Sequence, residues 1–281
     1  MRAMHEAVIA IKNDKIHGAG YLTDKALEAV KNAVQTSQAR NPEEFLREIS
    51  GLTYELQECR PAMASIANCS SRFRTELQKD WGSGTDLNSL RAAALTIVQN
   101  IKRDFIRARD QAIEAGASLI ENKDVIMTCS YSSTIVQTMA RARGQGKSFQ
   151  IMAAESREFP GAVAYGDKMA ADLSGQGIKC HTFPDTDIRT MAPQADKIMV
   201  GADAILPDGS LLNGYPTAEL ALAAGDANLP FYTICESPKF LPRGKIETLE
   251  KGFNLVPSRL VSAVVSEKGI LTPYQIDQLT N

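Results

Sequence analysis

The chain has 281 residues, 44% of them apolar and 23% charged, ordinary values for a globular protein holding one large domain or two modest ones. With Lys+Arg 31 against Asp+Glu 33 the formal net charge is -2, so the electrostatic footprint of a dedicated nucleic-acid binder is missing and no direct nucleic-acid partner is expected. The start MRAMHEAVIAIKNDK lacks an apolar core long enough for a signal peptide, and no run of ~18 apolar residues is present to span a bilayer, which predicts a cytoplasmic protein with no membrane partner. Five scattered cysteines predict reduced thiols, and three separated histidines (His5, His17, His181) argue against a zinc centre; no metal and no cofactor is expected.

From Met1 to about Lys123 the pattern is helical. Met4–Lys12 gives one amphipathic segment, and a second helix is predicted from about Thr23 to Gln38, with Leu27, Val30 and Val34 at helical spacing. Asn41-Pro42-Glu43-Glu44 is a helix start: an Asn cap, proline in the first helical position and carboxylates in the first turn. That helix carries Phe45, Ile49, Leu52 and Leu56 on one face and ends before Pro61. Another covers about Met63 to Gln78 and is broken by the glycines of Trp81-Gly82-Ser83-Gly84. Leu87–Ala115 then reads as one long helix whose stripe is Leu90, Ala94, Ile97, Ile101, Phe105 and Ala108.

At Asp124 the period changes. Val125–Met127 is predicted as a strand, Thr128–Ser133 as a polar loop and Thr134–Arg143 as a helix. Strand Phe149–Met152, loop Ala153–Pro160, helix Ala162–Leu173, strand Ile178–Thr182 and a short helix at Ile188–Met191 follow. Ile198–Val200 is a buried strand ending at Gly201, where a glycine lets the backbone approach a ligand closely. Pro207-Asp208-Gly209 reads as a turn. Asn213 and Thr217 bracket another before helix Ala218–Asp226, Phe231–Cys235 is the last core strand, and the tail through Leu260–Val265 packs back on the sheet or on a partner. Strands alternating with helices predict a doubly wound parallel sheet, with the loops after Met127, Met152, Thr182 and Val200 gathered on the edge where such sheets bind ligands. The fold class is α/β: a helical N-terminal domain over 1–122 followed by a Rossmann-like parallel-sheet domain over 123–281.

Candidate chemistry clusters on that edge. Asp203 follows the strand at Ile198–Val200 and is either a ligand-facing carboxylate or a turn cap. Thr128–Thr134 is dense in hydroxyls and opens a helix, so Ser130, Ser132 and Ser133 either hold an anion or simply cap. Cys129 in the same field is a reactive thiolate or a small buried filler. Glu155 and Arg157 bring a carboxylate and a guanidinium, or a surface ion pair. Arg60, stiffened by Pro61, suits a phosphate fork; the His17-Gly18-Ala19-Gly20 backbone suits an oxyanion or a helix-joining turn; Lys239 follows the last core strand and is a ligand-facing cation or, as is usual, a solvated lysine. Together with Asn213 and Thr217 these groups fit a small phosphorylated, polyhydroxyl ligand. No Walker-type loop and no G-x-G-x-x-G opens a helix, so nucleotide hydrolysis and dinucleotide redox lose support.

At VGADAILPDGSLLN with TAELALAA after it, AESREFPG, IMTCSYSSTI, CRPAMASIAN, CESPKF and FNLVPSRLVSAVVSEKG, the chain resembles the regulatory (alpha, beta, delta) subunits of translation initiation factor 2B and the related ribose-1,5-bisphosphate and methylthioribose-1-phosphate isomerases. The likeness runs from His17 to Gly269. It implies a helical domain, a Rossmann-like domain, a sugar-phosphate pocket between them, and a homodimer or larger homo-oligomer. It also implies an acid–base pair in the isomerases, an aspartate matched by Asp203 and a cysteine. Where the isomerases read threonine, histidine, cysteine, this chain reads Thr128, Cys129, Ser130, so Ser130 holds the cysteine's place and Cys129 is shifted by one. Gly214 stands for a ligand-facing lysine and His17 for an arginine. This half-kept pocket is read first as that of a factor-2B-like subunit binding a small phosphorylated ligand, a sugar phosphate or nucleotide monophosphate, with another initiation-factor subunit as a further partner. The alternative is an aldose–ketose isomerase acting on ribose 1,5-bisphosphate or a similar pentose 1-phosphate, with Asp203 and Cys129 as the pair.

Overall fold

The computed structural model describes residues 2–81, 85–242 and 250–279. It divides by contacts into two compact units, Met1–Arg107 and Ala108–Asn281. The division falls inside a helix, fifteen residues before the boundary read from the sequence, because the end of that helix buries Ala112 and Ala117 with the sheet residues Ile126 and Ile151.

The first unit is built from α1 (Arg2–Asn13), α2 (Ala19–Thr36), α3 (Pro42–Cys59), α4 (Ala64–Asp80) and the first part of α5 (Leu87–Ser118). The stripes read from the sequence are its core: Phe45, Ile49 and Leu56 are fully buried, as are Leu90 and Ala94. Asn41 caps α3 by accepting Glu44 N–H at 2.8 Å, and the Glu44 carboxylate reaches back to Arg40 N–H at 2.9 Å, a reciprocal arrangement that fixes where the helix begins. The helix break read at Gly82-Ser83-Gly84 lies outside the described residues. Gly116 does not end α5, which continues to Ser118; a Cβ there would press on Ile234 and Thr138 at 3.0 Å, so the glycine serves close approach of helix to sheet.

The second unit continues with β1 (Val125–Thr128), α6 (Ser133–Gly144), β2 (Gln150–Ala154), α7 (Tyr165–Ser174), β3 (Cys180–Phe183), α8 (Ile188–Met191) and β4 (Lys197–Val200). Then come β5 (Ala204–Ile205), β6 (Leu211–Gly214), α9 (Thr217–Asp226), β7 (Phe231–Ile234), β8 (Phe253–Val256), β9 (Ala263–Ser266), β10 (Gly269–Leu271) and α10 (Pro273–Leu279). Seven strands form one sheet in the order β10-β9-β7-β4-β1-β2-β3, parallel except for the β9–β10 pair. Successive residues alternate between two cores: Ile126, Ile151, Met199 and Val265 face one, Met127, Met152, Ile198, Val200 and Val264 the other. Both faces are covered, so the strands are apolar throughout. The chain runs outward from β1 to β3 and then returns to β4 on the other side of β1, which places the topological switch point between β1 and β4.

Two readings need correction. Phe231–Cys235 is not the last core strand: β9 adds to β7 in parallel and β10 closes the edge, the tail segment Val264-Val265 being too short to declare itself a strand by period alone. Asn213 does not sit in a turn but on β6, paired with Asn254 of β8 in a second, antiparallel sheet of order β5-β6-β8.

Candidate functional site

The switch point is crowded. The loop after β1 enters α6 with Ser132 as N-cap, its hydroxyl accepting Ile135 N–H at 3.3 Å and lying over the Cα of Gly201 at the end of β4. A Cβ at 201 would fall on that hydroxyl and come within 2.7 Å of Ser132 Cβ, which is why the strand ends in glycine. Ser130 has φ 60 and Ser156, in the loop after β2, has φ 56, both in the left-handed region that costs a non-glycine residue about 1–3 kcal/mol. Each is held by its surroundings. Ser130 N–H donates to Ser156 Oγ at 2.6 Å, Ser156 Oγ donates to Ala154 O at 3.0 Å, and Ser156 N–H and Arg157 N–H donate to the two carboxylate oxygens of Asp185 at 2.7 and 2.8 Å. Three consecutive strand ends are thereby tied together by hydrogen bonds.

Cys129 points down, away from this edge. It is 1% exposed and its thiol contacts Thr217 Oγ1 at 3.4 Å. The Thr217 hydroxyl proton is already given to Gly214 O at 2.5 Å, and Asn213 Nδ2 donates to Thr217 Oγ1 at 2.9 Å, so the thiol is left as a donor to that hydroxyl oxygen. Burial pushes its pKa up to about 12. The thiolate reading of Cys129 is thus corrected to the buried filler. Asn213 and Thr217 belong to this buried layer and position the loop from below. Ser130 Oγ occupies the space a side chain at 214 would need, 2.5 Å from the place of its Cβ, so the serine at 130 and the glycine at 214 fit each other.

Asp203 is half-buried just beyond β4, its N–H bonded to Leu212 O at 3.0 Å. Lys239 follows β7, not as a solvated lysine but 4% exposed, with its ammonium 3.2 Å from the fully buried Glu236 carboxylate. Burial works against the ammonium, yet the Glu236 carboxylate, with a smaller contribution from Asp203, outweighs it and holds Lys239 above the usual lysine value. Asp203 and Lys239 are therefore electrostatic neighbours. Glu155 and Arg157 also reach this edge, but Arg157 is spent locally, donating to Ala162 O at 2.9 Å and standing 3.9 Å from both Glu155 and Asp167. Ser133 opens α6.

His17, Gly18, Ala19, Gly20 and Arg60 belong to the first unit. Asp14 organises them: its carboxylate accepts Ile16 N–H and His17 N–H and meets His17 Nδ1 at 2.8 Å, while Arg60 Nη1 donates to Asp14 O at 2.6 Å. Burial pushes the Asp14 carboxyl up, but its hydrogen bonds with His17 and Ile16 prevail and hold it below the ordinary value. The His17 ring stacks on Tyr21 with centroids 4.0 Å apart. Sequence reasoning missed Asp14, Ser156, Asp185 and Glu236. Glu236 had a readable signal, a carboxylate three residues before a lysine across a proline turn; Asp185 acts across two strands and had none. Among the described residues no group of three or more His, Cys, Asp or Glu is placed to hold a metal ion, and no helix is long and apolar enough to cross a membrane.

Doubly wound sheets that bind ligands do so at such a switch point, and here that edge carries a polar, strained loop pair. The Initiation factor 2 subunit family model matches residues 15–251, and the chain belongs to that family. Ribose 1,5-bisphosphate isomerase of Pyrococcus furiosus is 28% identical, over 98% of this chain and 92% of the relative. A putative translation initiation factor eIF-2B subunit 2-like protein of Pyrococcus horikoshii is 27% identical over 95% of this chain and 96% of its own length. Among solved structures, translation initiation factor eIF-2B of Pyrococcus horikoshii OT3 aligns with a TM-score of 0.82 at 25% identity, covering 97% of this chain and 98% of its own. The tetrameric eIF2B-beta2-delta2 complex of C. thermophilum aligns at 0.84 with 18% identity over 99% of this chain and 93% of its own, a likeness of fold.

Proposed function

We propose that this chain is an aldose–ketose isomerase acting on ribose 1,5-bisphosphate or a similar pentose 1-phosphate, with Asp203 as the proton shuttle. The observation that carries the reading is the placement of Asp203: half-buried, at the switch point, two residues before Ile205, whose backbone pairs with Phe240 next to the buried Lys239, so that its charge supports that ammonium. A carboxylate in that setting can exchange a proton with a sugar hydroxyl or carbon while the neighbouring cation stabilises the oxyanion that forms. The name borne by the 28%-identical relative supports the isomerase over the ligand-binding subunit that the sequence places first. Ser130 orients the sugar through its hydroxyl, the Ser132–Ser133 start of α6 faces anionic oxygens, and Arg60 with the Gly18–Gly20 backbone is a phosphate contact of the first unit.

One observation favours a second reading, a subunit that binds the sugar phosphate without converting it. With Cys129 buried and protonated and Ser130 half-buried in the next position, Cys129 does not serve Asp203 as its counterpart. In that case assembly with further copies or with another initiation-factor subunit is the function. Proton NMR of the purified chain with ribose 1,5-bisphosphate in deuterated buffer separates the two. Conversion to the ketose, lost in Asp203→Asn, supports the isomerase. Binding without conversion supports the subunit, and absence of binding defeats both.

A further inference from the structure

β7 hands the chain to Cys235, Glu236 and a 3-10 turn at Ser237–Lys239. The turn is rigid. Pro238 fixes one dihedral, Lys239 N–H bonds to Glu236 O at 3.0 Å and Phe240 N–H to Ser237 O at 2.9 Å. Ser237 N–H is held by Glu267 Oε2 at 3.0 Å, and Phe240 bridges to Ile205. Inside this frame Glu236 is 0% and Lys239 4% exposed. Among the described residues neither Glu236 oxygen has a hydrogen-bonded partner, so the Lys239 ammonium at 3.2 Å is what compensates the carboxylate. A buried ion pair returns little or no stability over an apolar pair of the same volume, because desolvating two charges offsets their attraction. Stability alone therefore does not explain the pair.

We propose that Glu236 is a positioning residue that holds Lys239 as a fixed ammonium beside the Asp203–Ile205 segment, acting on the bound sugar phosphate through Lys239 and not by touching it. The part played by the ligand rests on the function proposed above; the hold of Glu236 on Lys239 does not. Glu236, on the lysine's own turn, lies 3.2 Å from the ammonium; Asp203, from the loop after β4, reaches the same segment through the Ile205–Phe240 pairing and supports the charge, Cys235 precedes the turn after β7, and Glu267 from the turn after β9 meets it at Ser237. Burial keeps the Cys235 thiol neutral. Without Glu236, Asp203 is the remaining carboxylate among the described residues whose charge supports the ammonium against burial, and a lysine desolvated in that way titrates near neutrality.

The test is made on the full chain with ¹⁵N-labelled lysine, the Lys239 Nζ resonance being assigned with Lys239→Met and followed from about pH 6 to pH 10, across the range in which a buried lysine titrates. Lys239 should stay charged throughout in the native chain, titrate near neutrality in Glu236→Gln, and regain its charge in Glu236→Asp. Calorimetry with ribose 5-phosphate is run beside it. Affinity in Glu236→Gln should fall about tenfold or more from pH 6 to pH 9, the loss of a charge-assisted hydrogen bond, with no such fall in the native chain. If Glu236→Gln does not fold, the neutral pair Glu236→Gln with Lys239→Met removes the uncompensated charge; it should keep the native melting temperature within a few degrees and lose the affinity. A Lys239 that stays charged at pH 10 without Glu236, or a neutral pair that binds like the native chain, would overturn the proposal. A native chain that binds no sugar phosphate overturns the ligand reading alone and leaves the Nζ titration to decide on Glu236.

Discussion

Replacing Gly201 by alanine tests the geometry of the switch point directly. The added Cβ would land on the Ser132 hydroxyl and within 2.7 Å of Ser132 Cβ. Ser132 cannot turn away freely, because its hydroxyl caps α6 through Ile135 N–H. Losing that cap costs about 1 kcal/mol, and the remaining contact with Cβ brings the total into the 1–3 kcal/mol range of an overpacked core. Gly201→Ala should therefore lower the free energy of urea unfolding by about 2 kcal/mol at an unchanged slope. In a Ser132→Ala background the hydroxyl is absent and the cap already lost, so the same substitution should cost about 1 kcal/mol less, the coupling expected of a contacting pair. Urea titrations of the four proteins, followed by circular dichroism, complete the cycle. An equal cost in both backgrounds would refute the claim that Ser132 is what Gly201 makes room for.

Two further outcomes are expected. The Cys129 thiol, raised on folding from 9.0 to about 12, stays protonated in the folded chain where the unfolded chain has released its proton, so this contribution is full below pH 9 and declines as pH rises toward 12. The decline is at most about 1.4 kcal/mol per pH unit for one group, and Cys129→Ala should reduce the slope of unfolding free energy against pH without abolishing it, since Cys235 is raised as well. Arg60→Ala should weaken sugar-phosphate affinity by about 1.5–3 kcal/mol, the range for a hydrogen bond to a charged group; calorimetry showing unchanged affinity would remove Arg60 from the phosphate contact.

The helical unit and the succession of strands and helices along the second unit were legible because their signals are periodic and local; the order of the strands in the sheet was not. Phe45, Ile49, Leu52 and Leu56 declare one helix face, and Asn41-Pro42-Glu43-Glu44 its start. The edge where the loops after β1, β2 and β4 gather was legible from the alternation of strand and helix. Burial within that edge was not. Cys129 and Ser130 are adjacent in sequence and equally polar in context, yet a left-handed backbone at Ser130 places one thiol beneath the loop and leaves the hydroxyl above it. Lys239 looked like a solvated cation because its counter-charge lies inside the same turn, and Asn213 looked like a turn residue because a strand of four, Leu211–Gly214, carries too few residues to show its period.

The ties from Asp185 to Ser156 and from Ser156 to Ser130 have a consequence for how such a surface can change over generations. The segment nearest a ligand does not own its shape. Its left-handed residue is braced by a serine one strand away, which is braced in turn by a carboxylate two strands away. A lineage that altered residue 185 would disturb the fit at residue 130 without touching it, whereas residue 130 is held through its backbone N–H and can change its side chain under the same brace. Divergence at this edge should therefore proceed in linked sets, with residues 156 and 185 changing together and residue 130 changing with residue 214.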